Sequence, residues 1–224
     1  MTDRDLGAEL ARALDSGERV AGAPPETGAP IVLAWSGGLD STALLDLIVH
    51  DARVAVVAGR PIAAHLDHAM RPDSDADARE LAVTARAWGV EFRTPRLSAP
   101  PMSEEDARLR RYEWLEGVAD ELGAREIWTA HHADDQIETV LFRILRGTGV
   151  HGLEGIPAVR GRIRRPFLMT SEPVRRSDLA AHASARDLPI RVDATNAEPV
   201  ATRNRIRHEV LPLVEGVVPV SYTH

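Results

Sequence analysis

Apolar positions along this chain switch repeatedly between two periods. The run Ile31-Val-Leu-Ala-Trp35 is short, apolar and bounded by turn residues, the signature of a strand. Two glycines, an acid and two hydroxyls follow, and then an apolar helix from Ala43 to Val49. Pro61 to Leu66 predicts a second strand, Val90 to Thr94 a third and Glu126 to Thr129 a fourth. Helical spacing fills the gaps. Asp73 to Trp88 carries Leu81, Ala82 and Ala85, with Gly89 to stop it. Ser103-Glu-Glu-Asp106 opens a long helix with Leu109, Tyr112, Leu115, Val118, Ala119 and Leu122 on one stripe, closed by Gly123. Asp134 to Arg146 is expected to turn Ile137, Val140, Leu141, Ile144 and Leu145 inward. A short helix with Leu6, Leu10 and Leu14 precedes a Gly/Ala/Pro linker, and another helix is expected near 177–186.

Strands alternating with helices imply βαβ units. The expected fold is α/β, a mostly parallel twisted sheet with helices on both faces, followed by a smaller helical segment. Ligands of such sheets bind beyond the carboxyl ends of the strands, near the point where strand order reverses. Three polar clusters sit at those ends: Ser36 to Thr42 after the first strand, His65-Leu-Asp-His68 at the second, and His131-His-Ala-Asp-Asp135 after the fourth.

The first cluster is the most informative. A helix N-terminus presents unpaired N–H groups, and glycines before it let a ligand come close, so Gly37 to Thr42 form a ready phosphate site. The helix dipole adds only about 0.3–1 kcal/mol per exposed charge, so directed hydrogen bonds must supply most of the grip. Asp40 by itself would repel phosphate. Its presence suggests Mg²⁺ between the carboxylate and phosphate oxygens. Ser36-Gly-Gly-Leu-Asp-Ser41 resembles the pyrophosphate-binding loop S-G-G-x-D-S of the ATP pyrophosphatase (PP-loop) superfamily.

Composition narrows the choices. All 27 basic residues are Arg, which excludes a Walker A loop and any catalytic lysine. Gly147-Thr-Gly-Val-His-Gly152 fits G-x-G-x-x-G but follows a helix, so it is no Rossmann fingerprint. With no Cys, disulfides, thiolate metal sites and iron–sulfur ligation are all ruled out. No apolar run spans a bilayer and no signal-peptide pattern opens the chain, so no membrane partner and a cytoplasmic location are expected. A net charge of −7 argues against a generic polyanion binder, yet six Arg face one acid between Arg160 and Arg176. That stretch is either a solvated face or a nucleic-acid contact. Two other functions stay open on the residues alone. The His and Asp of the second and third clusters suit a metal-dependent phosphohydrolase. A nucleotide-sensing module would need only the phosphate loop.

Six stretches resemble, in order and spacing, the tRNA(Ile)-lysidine synthetase family. They are Ser36 to Ser41, His65-Leu-Asp-His-Ala-Met-Arg71, Ala107-Arg-Leu-Arg-Arg-Tyr112, His131-His-Ala-Asp-Asp-Gln-Ile-Glu-Thr139, Arg146 to Leu153, and Asp193-Ala-Thr-Asn196 with Arg203-Asn-Arg-Ile-Arg207. The resemblance implies a ligase with the adenine nucleotide alpha-hydrolase-like fold. Such an enzyme uses ATP to join free L-lysine to C2 of the wobble cytidine in an isoleucine tRNA with a CAU anticodon. An adenylated cytidine forms on the way, and AMP and pyrophosphate are released. The related 2-thiocytidine thiolase depends on cysteines and an iron–sulfur cluster, which this chain cannot supply.

The resemblance also assigns residues. ATP is expected on Ser36, Gly37, Gly38, Leu39, Asp40, Ser41, Thr42 and His65, with Asp40 on the metal. Asp135 and Glu138, three apart on one helix face, are the candidates for lysine recognition and proton transfer. His132 is a proton carrier, a phosphate partner or a structural group. Arg111 would contact the nucleotide or transition state, and Asn196 and Arg207 would shape the site for the anticodon base. Asp134 is expected to do no more than cap its own helix. The expected organisation is an N-terminal helix and linker (1–29), a catalytic domain (30–215) and a tail (216–224). Family members continue into tRNA-binding domains, and Thr195 stands where serine is more usual. Dimers occur in the family, so a homodimer is an expectation.

Overall fold

The computed structural model describes residues 4–16, 28–68, 74–191, 205–211 and 213. Six strands form one sheet: β1 (Pro30–Ala34), β2 (Arg60–Ala64), β3 (Glu91–Arg93), β4 (Glu126–Trp128), β5 (Val159–Arg160) and β6 (Ile163–Arg164). Their order is β3-β2-β1-β4-β6-β5, all parallel except the β5–β6 hairpin. Strand order reverses between β1 and β4; two of the three polar clusters lie beyond those strands and the third beyond β2, next to β1.

Side chains alternate across β1. Ile31 and Leu33 join one core, while Val32 joins the other. The first core is covered by α1 (Leu6–Ser16), α2 (Leu39–His50), α3 (Ala52–Ala58), α4 (Ser74–Ala87) and α7 (Arg176–Ala185). On the other face α5 (Glu104–Leu122) lays Leu115, Val118 and Ala119 over Val32, Ile127 and Ile163. Both faces are thus buried, which explains why β1 reads as an unbroken apolar run. Leu6, Leu10 and Leu14 of α1 pack into the same core as the sheet, so the N-terminal helix is part of this packed unit. The long helix begins and ends as its sequence predicts. The Ser103 hydroxyl accepts the Asp106 N–H at 3.1 Å, and Gly123 closes it at φ 65°.

Several expectations are corrected. The helix after the phosphate loop starts at Leu39, so Asp40, Ser41 and Thr42 belong to its first turn. The short helix α3 was not foreseen. Leu109 is exposed and lies off the buried stripe of α5. In α6 (Ala133–Leu145) the buried residues are Glu138 and Thr139, whereas Ile144 and Leu145 are exposed. The cause is that α6 packs chiefly against two helical turns, Val150–Glu154 and Ile206–Val210, rather than flat on the sheet. Nor is the arginine-rich stretch simply a surface: Arg164 and Arg165 are buried, and Arg164 reaches Glu126 at 3.4 Å. No described helix is long and apolar enough to cross a membrane.

Candidate active site

Beyond β1 the chain turns sharply. Gly37 takes φ +80°, and a Cβ there would come within 2.6 Å of Leu81 Cδ2. Only glycine fits. The Gly37 carbonyl accepts the Arg191 N–H at 2.9 Å, so the segment following α7 straps across the loop. Gly38 is the N-cap of α2 and has no side chain to cap it, which leaves the amides of the first turn for a ligand. The Ser36 and Ser41 hydroxyls lie 3.1 Å apart beside them. Thr42 is fully buried and accepts the Trp35 indole N–H at 3.0 Å, which makes it a brace under the loop.

The N-terminus of α6 meets this loop through His132. Its Nε2 lies 3.6 Å from an Asp40 oxygen and 3.5 Å from an Asp135 oxygen, while Nδ1 is 3.5 Å from Asp134. Burial alone would lower the His132 pKa, but the carboxylates of Asp40, Asp135 and Asp134 outweigh it and raise the value above the ordinary one. His132 is wholly enclosed and stands behind the cleft wall. The two neighbouring acids have different partners. Asp135 caps its own helix, accepting the His132 N–H at 3.0 Å. Asp134 caps α7 instead, accepting the Arg176 N–H at 2.7 Å and the Arg175 side chain at 3.1 Å. The expectation that Asp134 serves its own helix is therefore corrected.

These elements border an open cleft of about 1100 Å³, into which Ser36, Gly38, Leu39, Asp40, Ser41 and Asp135 face. On the far wall His65 donates from Nδ1 to the Trp35 carbonyl at 3.1 Å, and its pKa is lowered by burial. Arg111 donates to His68 Nε2 at 3.1 Å; burial first and the Arg111 charge second push His68 down to about 4. His131 also lines the cleft, sharing a 2.8 Å hydrogen bond with Thr129, and burial pushes it down to about 4. Arg108 and Arg160 each stand 5.7 Å from the centre of the ring of Tyr112, which lines the cleft, and Arg165 is buried. No carboxylate among the described residues pairs with these three arginines.

Most of the residues expected from the sequence come together here, but not all. Glu138 is buried one turn along α6, off the cleft wall. Asn196 lies outside the described residues. Arg207 sits in the helical turn against α6, with its side chain outside the described part. Sequence reasoning missed Asp187 and Arg191, and it named His131 and Arg176 only as members of a polar cluster and of an arginine-rich stretch; all four line the cleft. Arg176 stands in the stretch left open between a solvated face and a nucleic-acid contact, and Asp187 and Arg191 belong to no pattern specific enough to single them out. Among the described residues, no three His, Asp or Glu converge to hold a metal. Asp40 alone beside phosphate oxygens is a donor set suited to Mg²⁺, which keeps most of its waters.

Comparison with known proteins supports the fold. The profile of the PP-loop domain matches residues 11–214. The tRNA(Ile)-lysidine synthase of Deinococcus deserti is 40% identical over 202 residues, covering 87% of this chain and 36% of that protein. The Gloeobacter violaceus synthase is 40% identical over 195 residues, covering 84% and 57%. That of Thermus thermophilus is 40% identical over 199 residues, covering 86% and 37%. The chain thus spans roughly 36% to 57% of the length of these relatives. Among solved structures, the U34-tRNA thiolase NcsA from Methanococcus maripaludis, with its 4Fe–4S cluster, superposes with a TM-score of 0.68. It is 15% identical and covers 95% of this chain and 73% of its own, a likeness of fold alone. With the glycine turn, the uncapped helix and the acid-lined rim all in position, the chain belongs to the PP-loop domain family.

Proposed function

We propose that this chain is the catalytic part of a tRNA(Ile)-lysidine synthetase. It would use ATP to join free L-lysine to C2 of the wobble cytidine in an isoleucine tRNA with a CAU anticodon. The observation that carries this proposal is the approach of Asp40 and Asp135 to the same ring nitrogen of His132, at 3.6 and 3.5 Å. The group suited to phosphate chemistry and the group suited to the amine thereby share one rim. The relatives' names support the substrates.

In the first step the cytosine C2 oxygen bonds to the α-phosphorus of ATP, and pyrophosphate leaves with the electron pair of the broken bond. Phosphoryl chemistry is chiefly positioning and charge stabilisation. Amides of Leu39 to Ser41 and the hydroxyls of Ser36 and Ser41 receive the leaving group. Asp40 would hold Mg²⁺, which supplies positive charge to the phosphates. In the second step the lysine ε-amine attacks C2 and AMP departs. That amine must be neutral, and deprotonating it at pH 7 costs about 4.6 kcal/mol. Asp135 faces the cleft to orient the ammonium and take its proton. Glu138, buried beside it, is given a supporting role in the same recognition. Arg108 and Arg160 over Tyr112, with no carboxylate partner among the described residues, suit an RNA strand, which offers phosphates to the guanidiniums and a base to the ring.

Incubation with ATP, labelled lysine and the tRNA transcript tests the proposal. Label should enter the RNA with AMP formed in equal amount, and Asp40→Ala should abolish both. Hydrolysis of ATP without incorporation would refute it.

A further inference from the structure

Arg176 opens α7 and reaches across the cleft to the phosphate loop. Its Nη1 lies 3.2 and 3.4 Å from the two Asp40 oxygens, and its side chain is 46% exposed on the cleft wall. Backbone and side chain are held very differently. The backbone N–H is fixed by Asp134 at 2.7 Å, and Arg175 beside it is held by the same carboxylate at 3.1 Å. The guanidinium, by contrast, sits beyond the roughly 2.7–2.9 Å of a well-made charge-assisted bond. Its root is immobile, while its tip is loosely docked on the one carboxylate of the loop.

The other arginines of the cleft are differently committed. Arg191 is clamped by Asp77 and lies near Glu80 of α4, and Arg111 stands on the far wall against His68. The chain has no Lys, so a long, flexible cationic side chain for the phosphates must be an arginine. The loop itself contributes amides, hydroxyls and the negative Asp40. Mg²⁺ on Asp40 would offset part of the charge that grows on the departing pyrophosphate, and a guanidinium beside it would take up more.

We propose that Arg176 is a catalytic residue whose guanidinium moves from Asp40 onto the departing pyrophosphate. As the bond from the nucleophile oxygen to the α-phosphorus forms, the bond from that phosphorus to the bridging oxygen breaks. The electron pair stays on the pyrophosphate, where Arg176 donates hydrogen bonds to it; no proton need be transferred to the leaving group. This inference rests on the proposed use of ATP.

The test is equilibrium binding of inorganic pyrophosphate with Mg²⁺, in the absence of tRNA and lysine. Arg176→Gln should weaken binding about 10- to 100-fold, the loss of one charge-assisted contact. Arg176→Lys should restore most of it, because it keeps the charge but not the fork. AMP formation should fall about 100-fold or more in Arg176→Gln. The decisive comparison is made in an Asp40→Asn background. If Arg176 meets pyrophosphate, the Gln substitution still weakens binding there. If it is only the counter-ion of Asp40, the Gln effect vanishes in that background and the proposal is overturned. A parent chain that binds no pyrophosphate would overturn the ATP assignment itself, a different outcome from a parent that binds and an Arg176→Gln variant that binds equally well.

Discussion

Replacing Gly37 with alanine should cost both stability and nucleotide grip, and the two costs can be separated. At φ +80° a side chain is strained by about 1–2 kcal/mol. The new Cβ would also lie 2.6 Å from Leu81 Cδ2, well inside the roughly 3.5–4.0 Å of normal carbon contact. Leu81 is only 2% exposed, so it cannot swing into solvent and must shift within the core. Overpacking of this kind costs about 1–3 kcal/mol. The sum is about 2–5 kcal/mol, or roughly 4–20 °C in thermal midpoint at about 2–4 °C per kcal/mol for a chain of this size. Urea unfolding of Gly37→Ala measures the total. Adding Leu81→Ala separates the parts: alone it should destabilise by about 2–5 kcal/mol, but in the Gly37→Ala background it should cost about 1–3 kcal/mol less. Additive effects would refute the clash. A total below about 0.5 kcal/mol would refute the strain as well.

Further outcomes follow from the same geometry. Thr42→Val removes the acceptor of the buried Trp35 N–H and should destabilise by about 1–3 kcal/mol in urea titration, with pyrophosphate affinity little changed. Asp135→Asn keeps an oxygen to cap α6, so the thermal midpoint should hold while lysine transfer falls at least 100-fold and adenylated RNA accumulates. His131 has a folded-state pKa of about 4, below its unfolded value near 6.5. The unfolded chain therefore binds the extra proton between those values, and stability is lost as pH falls from about 6.5 to 4. His131→Gln should lose less over that window, and equal acid sensitivity by urea midpoint would count against the burial of this imidazole.

The glycine turn after β1 was legible because it is local. Strand, glycine pair and helix are consecutive, and the turn between them follows from backbone geometry, although the helix begins at Leu39, earlier than its apolar run suggests. The same holds for the Ser103 cap and the Gly123 stop of α5. What escaped the sequence depends on partners far along the chain. Asp134 looks like a cap for its own helix until α7 arrives 42 residues later to claim it. Arg164 looks like surface until Glu126, 38 residues earlier, takes it inside. In α6 the apolar stripe predicts an inward face through Leu145, yet Ile144 and Leu145 are exposed, since helical turns rather than the sheet lie against this helix. The short helix α3 is rich in valine, and β-branched runs do not announce a helix. The second cleft wall, with Arg176, Asp187 and Arg191, carries no motif at all and could be found only by folding the chain.

The contact between the Arg191 amide and the Gly37 carbonyl uses no side-chain atom at either end. Alanine scanning is blind to such a fastening, because every residue except proline would reproduce it. Position 191 should therefore accept many amino acids without slackening the turn it secures, while the imino acid alone cuts the tether.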